Sequence, residues 1–318
     1  MLLGTASGHA SGIPGGTPSG GAGSPGAASP GDLVTGTVAA GVAVLVVAGL
    51  WRGGVLRLGS RVRGPALGAG AGAGGPSAWV WLLSAVGVMI AAGLGSDLAG
   101  RASAWAGAGN LGAQAAPARH AAMIWGGALC GLLAGLLAVR LSGIGAHRAG
   151  LVVRWSDLPG GLAGFAASVP ALVAAMLLAP AAYVLATGRQ TPALGHETLV
   201  VLRDHSGPWT WAIMLAAVTV VPATEELVFR GLLQGGLVRL LGRRWVAVLV
   251  TGVVFAALHA QALGEAPPGA VLPGLVVLGI ALGVGMEWRG RLGVPVVMHA
   301  AFNAANLALA MGGARSGN

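Results

Sequence analysis

The chain has 318 residues, of which 55% are hydrophobic and only 8% are charged, and its mean hydropathy is +0.79. A soluble domain carries about a quarter charged residues, so this composition excludes a soluble globular protein and predicts an integral, multi-pass membrane protein. The net charge of +9 comes from arginine, because the sequence contains no lysine. In a membrane protein such charge is typical of cytoplasmic loops, so we expect the lipid bilayer as a partner and no nucleic acid.

Four segments have the composition of tails or connections. Residues 1–31 are mainly Gly, Ser, Pro and Ala, which predicts a disordered tail. They lack a basic stretch followed by an apolar run, so they are not expected to be a cleavable signal peptide. Residues 65–77 predict a Gly-rich linker, residues 189–208 a polar loop or an interfacial helix, and residues 313–318 a short C-terminal tail.

Eight apolar segments remain, each close to the roughly 20 residues that cross the hydrocarbon of a bilayer. They predict an all-α, polytopic transmembrane helix bundle of about eight spans, over residues 33–51, 78–99, 121–141, 161–187, 209–240, 245–263, 270–286 and 293–311. The fifth segment is too long for one simple crossing. Pro222 is predicted to kink it or to mark the start of its second half. Arginine is more frequent in alternate loops, starting with residues 52–77, which predicts both termini outside.

Small residues recur along the third span at Gly127, Gly131 and Gly135. This spacing lets helices approach closely, and we interpret it as packing rather than chemistry. The one cysteine, Cys130, lies in the same span. No disulfide within the chain is therefore possible, and we expect an inert thiol that faces lipid or another helix.

Two adjacent carboxylates, Glu225 and Glu226, lie in the fifth span. An ionisable residue there costs roughly 2.5–3.5 kcal/mol, so a functional role is the default hypothesis. Neighbouring helical residues point about 100° apart, so the two cannot face one cavity equally. Arg230 follows Glu226 by four residues and can pair with it, whereas Glu225 points elsewhere and is suited to act as a general base. The alternative is a buried ion cluster that only fixes helix packing.

His259 lies on the sixth span and is expected to lie close to Glu225. The turn between the fifth and sixth spans is predicted near Gly242-Arg243, and both residues are 17 positions from Gly242. An antiparallel helix pair therefore places them at similar depth. A single histidine on an apolar helix can also be a core residue with a satisfied hydrogen bond, and the matched depth weighs against that alternative.

His299 and Asn303 share one face of the last span because they are four residues apart. With the histidine of the sixth span they could bind a metal, or they could donate hydrogen bonds to a developing oxyanion. Asn303 could also only hydrogen-bond between helices, and Asn306 is expected to support the same face. His299 is six residues into its span, whereas Glu225 is nearer mid-helix. Either residues 287–298 are embedded, or the predicted boundary is wrong.

These groups together place carboxylates, imidazoles and an amide on three apolar helices. A carboxylate and an imidazole can polarise a water, and further donors can stabilise a tetrahedral intermediate. The sequence therefore predicts hydrolysis of an amide bond inside the membrane. No H-E-x-x-H or G-x-S-x-G motif favours another protease class, and Tyr183, the single tyrosine, is not followed by aspartate. A transporter would be expected to show internal repeats and broken helices in both halves, whereas the polar residues are concentrated in the last third.

Three motifs, in order, resemble those of the CPBP family of intramembrane proteases. They are Glu225-Glu226-x-x-x-Arg230, Phe255-x-x-x-His259 and His299-x-x-x-Asn303, with Phe229-Arg230-Gly231 extending the first. That family includes type II CAAX prenyl endopeptidases, abortive-infection and bacteriocin-processing proteins, and lysostaphin-resistance-like proteins. The resemblance covers roughly residues 205–311. It divides one membrane domain into N-terminal helices, residues 32–190, and CPBP-like catalytic helices, residues 191–312.

The resemblance implies an intramembrane endopeptidase that acts on a membrane-associated protein or peptide, in a bacterial-type plasma membrane. It implies Glu225 as the catalytic base, His259 as a ligand of the attacking water, His299 and Asn303 as the oxyanion site, and Glu226 with Arg230 as a supporting pair. Metal-dependent and metal-free mechanisms are both attributed to the family. We expect no tightly bound metal, with zinc on Glu225, His259 and His299 as the alternative. The alternative function is a non-catalytic immunity or binding scaffold, or a proton-coupled transporter.

Overall fold

The structure, a computed structural model, describes residues 30–56, 76–143, 150–189, 205–263 and 266–315, and the single residues 146, 191, 198, 201 and 202. The predicted tail up to residue 29, the linker up to residue 75 and most of the polar segment 189–208 lie outside the described residues. Every regular element within the described part is helical. The predicted all-α class is therefore confirmed.

Eight helices are long and apolar enough to cross a membrane, as the hydropathy predicts. In chain order they are α1 (Pro30–Arg52), α2 (Ala78–Trp105), α3 (Ala115–Leu141), α4 (Leu158–Thr187), α5 (Pro208–Leu241), α6 (Arg244–His259), α7 (Pro268–Arg289) and α8 (Gly293–Arg315). Their ends differ from the predicted spans by a few residues. Pro30 and Gly31, which were predicted to end the tail, belong to α1.

Helix α5 lies at the centre of the bundle. It contacts α2, α3, α6, α7 and α8, and 61% of its most apolar stretch is buried, compared with 6% for α1. Helix α4 packs outside α7 and α8, and α1 packs on α4. The helix that carries the two adjacent glutamates is thus the one most shielded from the surroundings, and this burial raises the cost of any charge that lacks a partner.

Helix α5 is not one continuous α-helix. Thr219 has non-helical dihedral angles (φ −124°, ψ −85°) and separates Pro208–Val218 from Val220–Glu226. Pro222 lies in the first turn after this break, where its missing N–H removes no helical hydrogen bond. The second half therefore begins just before Pro222, in agreement with one of the two predicted outcomes. A π-helical stretch follows, Leu227–Gln234, and such stretches are frequent at functional sites.

The predicted turn between α5 and α6 is present at Gly242. This residue has φ +64°, which glycine adopts without steric cost, and its N–H donates to the Val238 carbonyl over 2.9 Å. Helix α6 then begins at Arg244 and runs antiparallel to α5, so the matched depths expected for Glu225 and His259 follow from the fold.

Small residues let α3 approach the middle of α5. Gly127, Gly131 and Gly135 are all buried, which confirms their interpretation as packing residues. A side chain at Gly131 would meet Thr224, and one at Gly135 would meet Leu227. The Thr224 hydroxyl lies 2.9 Å from the Ala128 carbonyl of α3 and 2.8 Å from the Val220 carbonyl of its own helix, so its one hydrogen is shared between the two acceptors. Cys130, on the same helix, is exposed.

Candidate active site

Glu226 and Arg230 form the ion pair that their spacing predicts. The Glu226 Oε2 atom is 3.2 Å from Arg230 Nε, and both side chains are fully buried. The guanidinium also donates to the Gly279 carbonyl of α7 over 3.0 Å and lies 4.8 Å from the centre of the Phe255 ring. Because it binds three helices at once, Arg230 fixes the position of the Glu226 carboxylate inside the bundle.

Glu226 has a second partner that sequence spacing does not predict. Its Oε1 atom lies 2.8 Å from His299 Nδ1. An ionised carboxylate can only accept, so Nδ1 carries the hydrogen in this bond. The other ring nitrogen, Nε2, consequently points to the opposite side, 3.7 Å from Glu225 Oε2. The predicted role of Glu226, to pair with Arg230, therefore needs a correction. Glu226 binds both Arg230 and His299 of the last helix.

His259 is oriented in a similar way by its own helix. Its Nδ1 atom lies 2.7 Å from the Phe255 carbonyl oxygen, which accepts only, so Nδ1 carries the hydrogen. The Nε2 atom then lies 3.8 Å from Glu225 Oε2. The two imidazoles thus present Nε2 towards the same carboxylate oxygen, at distances longer than the usual 2.7–3.2 Å of a direct hydrogen bond.

A cavity of about 110 Å³ joins these groups. Glu225, His259, His299 and Asn303, the four residues predicted to face one cavity, all line it, and its remaining wall is mainly apolar, including Ile124, Val221, Leu275, Leu278 and Phe302. One water needs about 10–15 Å³ when volume is measured this way. The space therefore holds several waters, or a water together with a peptide group.

Asn303 lies at the rim of the group and bonds to α5. Its Nδ2 atom donates to the Ala217 carbonyl over 2.7 Å, two residues before the break at Thr219. The alternative in which Asn303 bonds between helices is thus observed. This bond uses one of the two amide hydrogens of Asn303. Asn306 donates to the Phe302 carbonyl of its own helix over 3.1 Å. It does not line the cavity.

The residues before His299 are embedded, which resolves the question of its depth. Glu287, Leu292 and Val294 are buried, and α8 begins at Gly293 as predicted. The short turn after α7 is held against residue 150, because the Leu292 N–H donates to the Gly150 carbonyl over 2.9 Å. The predicted start of the last span was therefore correct, and most of the stretch 287–298 is buried, although Trp288 and Arg289 are exposed.

The donor atoms are further apart than the ligands of a bound zinc ion. Two ligands of tetrahedral zinc with bonds of about 2.0–2.1 Å are roughly 3.3–3.4 Å apart, and the Glu225 oxygen is 3.8 and 3.7 Å from the two imidazole nitrogens. Among the residues that the structure describes, no three His, Cys, Asp or Glu side chains are grouped to hold a metal ion.

A second buried polar cluster lies one turn further along α5 and was not predicted. Gln234 Nε2 donates to Glu287 Oε1 over 2.9 Å and to the Gly283 carbonyl over 3.2 Å. Arg244 Nη1 donates to Glu287 Oε2 over 2.5 Å. A signal was present in the sequence, because Gln234 continues the four-residue spacing of Glu226 and Arg230. Glu287 is also one of only nine acidic residues.

Comparison with known proteins agrees with the resemblance of the three motifs. Residues 207–305 match the family model described as Type II CAAX prenyl endopeptidase Rce1-like. The matched segment contains every motif residue named above, and it lies within the range 205–311 predicted to be CPBP-like. No curated protein and no solved structure matches the chain. The eight apolar helices support a multi-pass membrane protein, and the matched segment is similar to a family of prenyl endopeptidases.

Proposed function

We propose that this protein is an intramembrane endopeptidase that hydrolyses a peptide bond of a membrane-associated protein or peptide, as the similarity of residues 207–305 to a family of prenyl endopeptidases suggests. The observation that carries the proposal is the Glu225 carboxylate, which lines a 110 Å³ cavity and faces two imidazole nitrogens across gaps of 3.8 and 3.7 Å. At these distances a water on the cavity side can bridge the carboxylate and an imidazole.

Glu225 and His259 position that water. A water about 2.8 Å from both Glu225 Oε2 and His259 Nε2 subtends an angle of roughly 85° between them, because these atoms are 3.8 Å apart. Both atoms accept hydrogen bonds when His259 is neutral, so both water hydrogens are occupied and an oxygen lone pair faces the cavity. The carboxylate takes one proton as the oxygen attacks the peptide carbonyl, and returns it to the leaving amine.

His299 and Asn303 stabilise the oxyanion that forms. Glu225, Glu226 and Arg230 carry a net charge of −1 when all are ionised, so one proton on an imidazole makes the buried cluster neutral. His299 is the imidazole in contact with Glu226, and when it holds this proton its Nε2–H points into the cavity. The second amide hydrogen of Asn303 is the other donor. Donors held in place before the reaction are worth the most in a dry site.

Glu226 and Arg230 act as positioning residues. Neither lines the cavity, and both are fully buried. Glu226 orients the His299 ring through Nδ1, and Arg230 balances the charge of Glu226. The arrangement is similar to a catalytic imidazole that is held in one orientation by a buried carboxylate.

The substrate must enter as an unwound segment. A helix inside the membrane has its backbone carbonyls in internal hydrogen bonds, and these carbonyls are not open to attack. The cavity wall is mainly apolar, so apolar side chains beside the cleaved bond fit it better than charged ones.

Cleavage by the purified full chain in lipid nanodiscs tests the proposal. A library of single-span membrane peptides is incubated in water enriched in oxygen-18, and products are identified by mass spectrometry. We expect products whose new carboxylate carries the heavy isotope. Glu225→Gln should abolish them and leave the yield of folded protein unchanged.

The matched control is Glu287→Gln, which neutralises another buried glutamate outside the cavity. Cleavage by Glu287→Gln with none by Glu225→Gln supports the proposed base. Full cleavage by Glu225→Gln would refute the mechanism, and no product from the unaltered protein with any peptide would favour the scaffold or transporter alternative.

A further inference from the structure

A second, larger apolar groove lies on the other side of α7 and α8 from the catalytic cavity. Its volume is about 430 Å³, and α1, α4 and α7 form most of its wall. Its lining includes Val46 and Leu50 of α1, Ala167 of α4, and Val277, Ala281 and Trp288 of α7. Val277 lies on the groove while its neighbour Leu278 lines the catalytic cavity, so α7 separates the two spaces.

The length of the groove matches one leaflet of a bilayer. It follows α7 from Val277 to Trp288, which at 1.5 Å per residue is about 16 Å. Half of the roughly 30 Å hydrocarbon core is about 15 Å. An extended alkyl chain of about this length can lie along the apolar wall of the groove.

One end of the groove has the chemistry of the membrane interface. Trp245 and Trp288 line it there, and tryptophan is enriched at the level of lipid head groups. The same end holds the C-terminus of α1, the N-terminus of α4 and the C-terminus of α7. These ends adjoin the arginine-rich loops that predict the cytoplasmic side, where anionic lipids are concentrated.

Arg289 is placed to bind the head group at this end. It is exposed and follows Trp288, and its guanidinium carbon lies 4.6 Å from the centre of the Trp288 ring. It also lies beside Gly160, in the first turn of α4, where a side chain would contact it. Its neighbours Arg244 and Arg291 are paired with Glu287 and Asp157, whereas no carboxylate among the described residues contacts Arg289.

We propose that this groove binds one anionic phospholipid, with an acyl chain along α7 and the phosphate on Arg289. The lipid fills a space between α1, α4 and α7 and ties α1, which is otherwise packed mainly on α4, to the rest of the bundle. This inference concerns a site separate from the catalytic cavity and does not depend on the proposed peptidase activity.

Native mass spectrometry of the purified full chain tests this inference with two probes, phosphatidylglycerol and phosphatidylcholine. We expect one phosphatidylglycerol retained about fivefold more than phosphatidylcholine, which corresponds to the roughly 1 kcal/mol of one arginine near an anionic head group. Arg289→Gln should reduce this ratio to about one, whereas Arg140→Gln, at another exposed arginine of a helix end, should leave it unchanged.

A second pair of variants tests the chain-binding part of the groove. Ala281→Phe fills the space and should abolish retention of both lipids, whereas Ala102→Phe, at an exposed position on α2, should not. If Ala281→Phe does not fold, the comparison of Arg289→Gln with Arg140→Gln still tests the inference. Equal retention of the two lipids, an unchanged ratio in Arg289→Gln, or displacement of the lipid by a farnesylated peptide would overturn the inference.

Discussion

Two buried carboxylate clusters lie along α5, and they differ in how closely their carboxylates are paired. In the Glu287 cluster (Gln234, Arg244, Glu287), each carboxylate oxygen accepts a hydrogen bond from one partner, at 2.9 and 2.5 Å. In the glutamate–histidine cluster (Glu225, Glu226, Arg230, His259, His299), the Glu225 oxygen faces two imidazole nitrogens across 3.7–3.8 Å gaps that open into a cavity.

Burial and ion pairing are therefore common to both clusters and do not identify the active site. The distinguishing feature is the cavity that Glu225, His259 and His299 line together. Close pairing in the Glu287 cluster satisfies both carboxylate oxygens and joins α5, α6 and α7. Around Glu225 the distances to the two imidazoles are longer, and the carboxylate lines a cavity.

The largest effect on stability is expected when the positive charge of the glutamate–histidine cluster is removed. Arg230→Leu leaves Glu226 buried without its guanidinium, and breaking a buried pair costs about 3–5 kcal/mol. The measurement is the free energy of unfolding in mixed micelles. Arg101→Leu is the matched control, because Arg101 also pairs with a carboxylate four residues before it but is 73% exposed. An exposed pair contributes about 0–1 kcal/mol, and equal losses for the two variants would contradict the role of burial.

The next effect is on catalysis, at the edge of the glutamate–histidine cluster. Asn303→Ala removes a proposed oxyanion donor and should lower kcat by about 10²–10³, or about 2.7–4 kcal/mol. The rate is measured under single-turnover conditions, so that peptide binding is separated from cleavage. Asn306→Ala, one turn away on the same helix, should change kcat by less than about tenfold because Asn306 bonds its own helix. A similar kcat for both variants would exclude Asn303 from the oxyanion site.

A smaller effect is expected in the Glu287 cluster. Glu287→Gln keeps the shape but removes the charge that Arg244 binds, and the expected loss is about 1–3 kcal/mol of unfolding free energy. Arg244 is partly exposed and can recover solvent contacts, so the loss should be smaller than for Arg230→Leu. Loss of cleavage in folded Glu287→Gln would mean that the two clusters are not functionally distinct.

Metal removal should have the smallest effect, because the proposed mechanism uses only side chains of the chain itself. Treatment with a strong zinc chelator, followed by dialysis, should leave the cleavage rate unchanged within about twofold. Metal content per protein is measured in parallel by elemental analysis. Inactivation that is reversed by added zinc would assign Glu225, His259 and His299 to a metal site instead.

Local spacing in the sequence predicted the contacts that depend on one helix or on one turn. The pair Glu226–Arg230 follows from residues four apart on a helix, and the nearness of Glu225 to His259 follows from equal counts to the turn at Gly242. Spacing did not predict the bond of Glu226 to His299. That contact depends on the rotation of α8 about its own axis, which is set by packing against α4, α5 and α7.

The interruption of α5 is a second feature that local spacing in the sequence predicts only in part. Pro222 indicated a change of direction, but the position of the break at Thr219 and the π-helical stretch after it depend on the neighbours of α5. Gly131 of α3 lets that helix approach α5 at Thr224, and Gly283 of α7 lies against Gln234. Hydrogen bonds to the Ala128 and Gly279 carbonyls also connect α5 to these two helices. Such close approaches involve residues far apart in the chain.

The sequence alone determined the class of protein, the number of membrane helices and the residues that carry charge inside them, because hydropathy and helical periodicity are local properties. Only the tertiary structure decided which carboxylate is bound on both oxygens and which faces a cavity. That distinction depends on differences of about 1 Å between the 2.8 Å bond of Glu226 and the 3.7–3.8 Å distances of Glu225. Such differences arise from the packing of whole helices, which no single segment of the chain specifies.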